Sequence, residues 1–266
     1  AWGAQTGVQR TAAEALLTTG LSADGMRRFR GIVKLEGILR VQEAARVRFD
    51  RTWRDPGLYW IAVFGRPTAR GTWSWRIEGH HYSRHFTCVQ GRISVTPAFQ
   101  GANPAQVRSG PQRGLRVLAD EEDAGRRLLA ALDAPRRARA VLRTPPRDFV
   151  PSAPRDLRRL PRVGLRGAAM TKPQRELLWS LLLTWASALH PDLHRFDAKQ
   201  LDEVRFAWMG SSERGKPHAY RVHGPHFVVE FWHGANHVHS VWRDLRDDYG
   251  AADLARAAQR DIKGRR

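Results

Sequence analysis

The sharpest structural signal in the sequence is the alternation in Trp73-Ser-Trp-Arg-Ile-Glu78. Every second residue is a large apolar one, so three apolar side chains fall on one face of an extended chain and three polar ones on the other. This pattern predicts a β-strand with one buried face. A continuous apolar run at residues 59–64 predicts a fully buried strand, and Gly91 separates residues 86–90 from 92–97 in the manner of a hairpin. The middle of the chain is therefore predicted as antiparallel sheet.

Helical patterns flank this block on both sides. Residues 11–19 are predicted as a helix that begins with the capping box Thr11-Ala-Ala-Glu14 and ends at Gly20, and a second helix is predicted from Ser22 to Ala45. Further along, the patterns predict helices at residues 120–132, 173–189, 197–204 and 253–262, strands at 204–209, 219–222 and 227–232, and a turn at 101–104. The acidic run at 120–123 suits the first turn of its helix, and a pair of catalytic carboxylates is the alternative interpretation.

The order of these elements indicates the fold class. Helices are followed by strands, then by helices and strands again, which is typical of an α+β fold and not of alternating βαβ units. We expect an antiparallel sheet core flanked by helices, in a single domain over residues 1–266. Residues 143–167 contain five prolines and many arginines, so a long surface connection is predicted there.

Composition excludes several classes of protein. With 266 residues, of which 42% are hydrophobic, the chain can bury a full core, and disorder as the dominant state is excluded. No apolar run reaches the length of a membrane span. The single cysteine, Cys88, excludes a disulfide within the chain and any cysteine-based zinc or iron–sulfur site. The chain starts Ala1-Trp2 without methionine, so we expect a processed or trimmed product.

The net charge of +19 comes mainly from arginine, since only five of the 45 basic residues are lysine. These residues are spread along the whole chain and do not follow one helix or hairpin. No helix-turn-helix, zinc-finger or aromatic ribonucleoprotein motif accompanies them, so a specific nucleic-acid partner is not expected. Any affinity for DNA or RNA should be weak and should disappear at moderate salt, because contacts to phosphate alone are strongly screened.

The histidines point to the chemistry. All eleven lie beyond residue 79, and nine fall within the two strand-rich blocks. His237-Val-His239 has the two-residue period of a strand, so both imidazoles can leave the same face and chelate one ion. Together with the adjacent His80 and His81, they can form a site of three or four imidazoles. The alternative is that these side chains cap strand ends or hydrogen-bond within a polar patch. The HExxH, GxSxG and Walker A patterns are absent.

Five blocks of the sequence resemble a known family in their content and order. They are Phe64-Gly-Arg-Pro67, Trp73-Ser-Trp-Arg-Ile-Glu-Gly-His-His-Tyr-Ser83, Pro97-Ala-Phe-Gln-Gly-Ala-Asn-Pro104, Gly114-Leu-Arg-Val-Leu-Ala-Asp-Glu-Glu122 and Ala235-Asn-His-Val-His-Ser-Val-Trp-Arg-Asp244. Together they resemble the signature of DUF3500, a family of proteins of unknown function. The resemblance implies one domain, makes the paired histidines and the HxH motif hallmarks of the family, and favours an extracytoplasmic location. It implies no particular reaction.

The spacing and the resemblance together define a candidate site. The predicted ligands of one transition-metal ion are His80, His81, His237 and His239. A set of imidazoles suits zinc, copper or iron, and the sequence does not choose among them. Glu78 and Glu230 are predicted to orient the imidazoles or to take a proton from bound water. Arg76 and Arg243, each beside one of the two histidine motifs, are predicted to bind a carboxylate or phosphate of the substrate.

Three functions remain open at this point. The first is a metal-dependent hydrolase acting on a small anionic or peptide-like substrate. The second is a copper- or iron-dependent oxidoreductase that uses the same histidines. The third is a non-catalytic protein that binds a metal ion or a polyanion.

Overall fold

The computed structural model describes residues 1–44, 54–148, 157, 160–193 and 196–264. Ala45, at the end of the second predicted helix, lies outside the described residues. The same is true of residues 149–156, 158 and 159 of the predicted surface connection.

The described residues form six α-helices. They are α1 (Gly7–Gly20), α2 (Ala23–Glu43), α3 (Ala119–Ala130), α4 (Ala134–Ala140), α5 (Lys172–Ala186) and α6 (Ala251–Gly264). The helix predicted at residues 197–204 is a short 3₁₀ helix, Ala198–Glu203. Among the described residues, no helix combines the length and the apolar character that crossing a membrane requires.

The strands form one sheet. They are β1 (Trp60–Gly65), β2 (Thr72–Gly79), β3 (Tyr82–Val89), β4 (Arg92–Ser94), β5 (Ala98–Ala102), β6 (Val141–Leu142), β7 (Leu165–Arg166), β8 (Arg205–Gly210), β9 (His218–His223), β10 (Phe227–Gly234) and β11 (His237–Asp244). The order across the sheet is β1-β2-β3-β5-β11-β10-β9-β8-β6, with β4 added to β3 and β7 to β8. Among the described pairs, only β6 and β8 run parallel. The predicted α+β fold with an antiparallel sheet is confirmed.

Helix α1 begins earlier than predicted. Thr6 and Gln9 form its capping box, in which the Thr6 hydroxyl accepts from the Gln9 backbone N–H and the side-chain Oε1 of Gln9 accepts from the Thr6 backbone N–H. Thr11 lies inside the helix, where its hydroxyl donates to the Gly7 carbonyl. Both Thr-x-x-Gln and Thr-x-x-Glu fit the capping pattern, so the sequence offered two starts. For α2, the predicted cap Ser22 is confirmed by a 3.0 Å hydrogen bond from the Gly25 N–H.

The sheet has two different faces because its side chains alternate. On one face, Tyr82 and Tyr220 are fully buried against the helices. The Tyr82 ring lies 5.1 Å from Phe29 of α2, and the Tyr220 hydroxyl donates to the Glu121 carbonyl of α3. The opposite face carries other ionisable residues of the same strands, such as His85 of β3 and Arg221 of β9. This second face is where a site can form.

Two predicted elements are wrong in detail. Residues 59–64 were predicted as a buried strand, yet β1 is the edge of the sheet, and Trp60, Val63 and Phe64 are each about half exposed. An apolar run does not reveal how many neighbours a strand has. Gly101 was predicted in a turn, but it belongs to β5, where it pairs with His239.

A buried ion pair joins the helices to the sheet. Arg28 of α2 and Glu121 of α3 are almost fully buried and form a close ion pair. Gln100 of β5 donates to the same carboxylate at 2.7 Å, and Arg28 also donates to the Thr184 carbonyl near the end of α5. Burial raises the pKa of the Glu121 carboxyl, and the Arg28 charge opposes that rise.

Replacement of Arg28 by methionine should destabilise the protein strongly. It leaves Glu121 buried without its counter-ion, and breaking such a pair costs about 3 kcal/mol or more. Without Arg28 the pKa of Glu121 rises further, so the folded state retains a proton that the unfolded state has lost. The loss should therefore be larger at pH 8 than at pH 5. Urea unfolding of R28M measures it. Arg27, 59% exposed and also paired with Asp24, provides the matched control R27M, whose change should stay below about 1 kcal/mol. Equal stability of R28M and R27M would contradict this account.

Candidate metal centre

Two hairpin tips bring the histidines together. His80 and His81 form the two-residue loop between β2 and β3, where Gly79 pairs with Tyr82. His237 begins β11, immediately after a two-residue turn at Ala235 and Asn236, both of which adopt positive φ. A regular strand through residues 78–80 would place Glu78 and His80 on one face. The tip of a hairpin does not follow that alternation.

Three imidazoles converge at these tips. The Nε2 atoms of His81 and His237 are 2.8 Å apart, although 156 residues separate them in sequence. The His239 ring lies 4.4 Å from the His237 ring and 5.6 Å from the His81 ring. One ligand atom from each of the three lies within 4.8 Å of the others, which is close enough for a shared metal ion. We call these three residues the histidine triad.

In two of the three rings, Nδ1 lies within hydrogen-bond distance of a carboxylate. Glu36 of α2 lies 3.2 Å from Nδ1 of His81, and Asp148 lies 2.7 Å from Nδ1 of His239. An Nδ1–H bound to a carboxylate leaves Nε2 as the nitrogen with a free lone pair. Carboxylate–histidine pairs of this kind orient the imidazoles that bind metal ions in proteins.

Burial keeps two members of the triad uncharged. It lowers the pKa of His237 to about 3, and the neighbouring His239 and His81 rings add to the effect. Burial also lowers the pKa of His81 to about 4, even though the Glu36 carboxylate opposes this. Both rings are therefore neutral near pH 7. Neutral imidazole is the form that coordinates a metal ion.

His80 has different surroundings. Its Nδ1 lies 2.9 Å from Glu36, and its ring lies 3.8 Å from the His81 ring. Glu36, His80 and His81 thus form a second group in which one atom from each lies within 4.8 Å of the others. The Arg54 guanidinium is within 2.8 Å of the His80 ring nitrogens and is paired with Glu43 at 3.0 Å. The positive guanidinium of Arg54 already contacts His80, so the second group is less favourable for a metal ion than the triad.

Glu36 is the central acceptor between the two groups. Burial raises the pKa of its carboxyl, but hydrogen bonds and charge interactions with His80 and His81 outweigh burial and bring the pKa to about 2. Its negative charge, together with burial, raises the pKa of the Tyr59 hydroxyl. The carboxylate is therefore ionised over the whole neutral range and holds both imidazoles at the hairpin tip.

Gly101 allows the rings to approach β5. An added Cβ at this position would lie 2.7 Å from Cδ2 of His81 and 3.0 Å from Cδ2 of His239. The Gly101 N–H also donates to the His81 carbonyl at 2.8 Å, which fixes the tip of the β2–β3 hairpin on β5. Only glycine leaves the room that the two imidazoles occupy.

An open cleft of about 510 Å³ adjoins the triad. His237 lies in its wall together with Glu43 at the end of α2 and Trp232 of β10. Pro146, two residues before Asp148, also lines the cleft. The first part of the predicted surface connection therefore belongs to the site.

The other predicted site residues lie further along the same face. Glu78, Glu230 and Arg243 line a separate cavity of about 340 Å³. Glu78 is paired with Arg76, Glu230 with Arg221, and Arg243 with Asp248. The carboxylates that contact the triad are instead Glu36 and Asp148, and neither was predicted.

The sequence contains a pattern that could have identified Glu36. Apolar residues of α2 recur at Phe29, Ile32 and Leu39, and Glu36 stands on the same stripe. A charged residue at a buried helical position requires a partner, so this placement could have singled out Glu36. Asp148 lies in an irregular segment where no periodicity exists.

The comparisons with known proteins give a family assignment. The sequence model of a family described as "Protein of unknown function (DUF3500)" matches residues 2–251. The chain belongs to the DUF3500 family. The match spans nearly all of the chain and both hairpin tips, in agreement with the predicted resemblance. Searches of curated proteins and of solved structures gave no match. The DUF3500 description names no reaction, so function has to be argued from the site.

Replacement of Gly101 by alanine should disturb the triad. The new Cβ would push against His81, His239 and the Val238 carbonyl, and overpacking of this kind costs about 1–3 kcal/mol. We expect a lower melting temperature and altered imidazole resonances of His81 and His239 in NMR spectra. Gly7, around which no atom lies within 4 Å of an added Cβ, provides the control G7A. Unchanged imidazole resonances in G101A would show that Gly101 does not position the rings.

Proposed function

We propose that His81, His237 and His239 hold one transition-metal ion and that the protein is a metal-dependent hydrolase. The observation that carries this proposal is the triad itself: three imidazoles face each other, two have their outer nitrogens bound to carboxylates, and an open cleft adjoins them. Three protein ligands with space for substrate is the arrangement of catalytic zinc sites.

The convergence of three rings supports an ion more than a simple polar patch. Tetrahedral ligands of zinc, with bonds of about 2.0 Å, place their nitrogens about 3.3 Å apart. The 2.8 Å between the Nε2 atoms of His81 and His237 is shorter than this and fits a proton shared by the two rings, so an ion would move them slightly apart. A shared proton involves only two of the rings, whereas an ion uses all three. The carboxylate at His239 also supports the ion, because it leaves that ring's Nε2 as the available ligand atom.

The residues around the ion would then have separate roles. The ion, when bound, supplies Lewis-acid activation of the scissile bond and of the attacking water. Glu36 and Asp148 hold the rings of His81 and His239 through Nδ1. Glu43 lines the same cleft as His237, and we assign it the role of taking a proton from the attacking water. Arg54 Nε holds the Glu43 carboxylate at 3.0 Å.

An oxidoreductase is the second candidate, because nitrogen ligands suit copper and iron as well as zinc. The identity of the ion separates the two candidates. Zinc in the purified protein favours the hydrolase, and copper or iron favours redox chemistry at the same three residues.

Metal uptake should depend on the triad. We expect about one equivalent of ion in the purified protein by elemental analysis, and its loss on dialysis against a chelator. Because each imidazole is a ligand, H237A and H239A should lose the ion and keep their circular dichroism spectra.

His85, on the same face but in the separate cavity, provides the control variant H85A, which should retain the ion. The comparison of H80A with H81A distinguishes the two groups of ligands, because H81A should lose the ion and H80A should retain it. A fully loaded H239A, or a wild-type protein that takes up no ion, would refute the proposed centre.

Glu43→Gln should separate catalysis from metal binding. Loss of a general base lowers kcat by about a hundredfold or more, and we expect the ion content to stay unchanged. The assay is hydrolysis of a panel of 4-nitrophenyl esters and peptide 4-nitroanilides by the metal-loaded protein. If E78Q or E230Q loses activity and E43Q does not, the base is one of the two carboxylates that the sequence predicted.

A further inference from the structure

Trp232 forms a flat apolar wall beside the triad. It pairs with His239 across β10 and β11, so both side chains leave the same face of the sheet. Its ring centre lies 5.6 Å from that of His239 and 5.9 Å from that of His237. An added Cβ at Gly234 would lie 2.4 Å from Cζ2 of the indole, so the ring lies directly over the Gly234 backbone. The indole is thereby held flat at the end of the hairpin.

The rest of the lining mixes apolar and uncharged polar side chains. Leu39, Pro104, Pro146 and Pro217 are apolar, and Gln42, Asn103 and Asn236 are polar without charge. The charged residue in this lining is Glu43, and it is paired with Arg54. Among the described lining residues there is neither arginine nor lysine. The arginines that led to the expectation of an anionic substrate, Arg76 and Arg243, line the separate cavity instead.

We infer that the cleft binds substrates in which a flat, uncharged aromatic ring stands next to the cleaved group, with the ring stacked on Trp232. Stacked and edge-on ring pairs gain energy beyond that of the apolar area they bury. A volume of about 510 Å³ accommodates a ring with a short chain and falls in the usual range for small-molecule sites. The inference rests on the proposed function, because the position of the cleaved group is defined by the metal ion at His237.

Three hydroxamates test this inference on the zinc-loaded protein. Each chelates the ion through the same group, and they differ only in what they place in the cleft: a methyl group in acetohydroxamate, a flat ring in benzohydroxamate and a puckered ring in cyclohexanecarbohydroxamate. Calorimetry should give benzohydroxamate a dissociation constant roughly tenfold or more below that of acetohydroxamate, because its ring is removed from water. It should also bind between about twofold and tenfold more tightly than the cyclohexane compound, because only a flat ring stacks.

Variants of Trp232 test whether the preference for a flat ring depends on this indole. W232F keeps a flat ring and should keep the preference for benzohydroxamate over the cyclohexane compound. W232L keeps apolar volume without a flat face and should lose that preference, with the zinc content unchanged. The comparison of ligands on the wild-type protein needs no variant, so a folding defect in W232L does not remove the test. Equal affinities of the three hydroxamates, or tighter binding of the puckered ring, would overturn the inference.

A separate measurement distinguishes failure of the ring site from failure of the metal site. Benzamide carries the ring without a strong chelating group, and saturation-transfer NMR detects its contact with the protein in the absence of metal. We expect contact of its ring protons with wild-type protein and with H237A, and loss of that contact in W232L. If zinc is not taken up but benzamide still contacts Trp232, the proposed hydrolase is refuted and the aromatic site stands. If zinc is taken up and benzamide makes no contact, the aromatic site is refuted alone.

Discussion

Helix α2 buries three charged side chains, and each must meet an opposite or polar partner on another part of the chain. Transfer of a charge out of water costs several kcal/mol unless it is paired and hydrogen-bonded. Arg28 meets Glu121 of α3, Glu36 meets the imidazoles of the β2–β3 hairpin, and Glu43 meets Arg54. The three interactions follow one another along α2, at Arg28, Glu36 and Glu43. They determine where α3, the hairpin tip and the chain before β1 must lie relative to α2.

The hydrogen-bond ladder of the sheet brings the three residues of the triad together. β5 lies between β3 and β11, so the strand that follows the first histidine motif and the strand that carries the second are separated by one neighbour only. Gly101 faces His239 across one ladder, and its N–H meets the His81 carbonyl on the other side. A site that exists before its ligand arrives avoids the entropy cost of ordering side chains during binding. Preorganisation of this kind is expected of a centre that performs chemistry.

The sequence predicts those parts of the site that follow from periodicity. The alternation in β2 gives its buried face, and the spacing of His237 and His239 places both rings on one side of β11, as the structure has them. The order of the strands could not be predicted in this way, because the pairing of β5 with β11 joins residues about 140 positions apart and leaves no local pattern in the sequence. Asp148 could not be found for the same reason. Glu78 would share a face with His80 in a regular strand, yet His80 lies in the hairpin loop, where the alternation of a strand does not hold. The roles of the histidines as ligands remain predictions.

Strand β5 connects the stability of the fold to the geometry of the site. Gln100 points towards the helices and donates to Glu121, the partner of Arg28. Gly101, the next residue, points to the other face, where its lack of a side chain admits His81 and His239. Because successive residues of a strand alternate between faces, a shift of β5 by one residue would place a glutamine amide against the imidazoles and leave Glu121 without its donor. Contacts on both faces therefore fix the register of β5. A sequence that preserves the geometry of the triad must also preserve the buried ion pair between Arg28 and Glu121 on the other face.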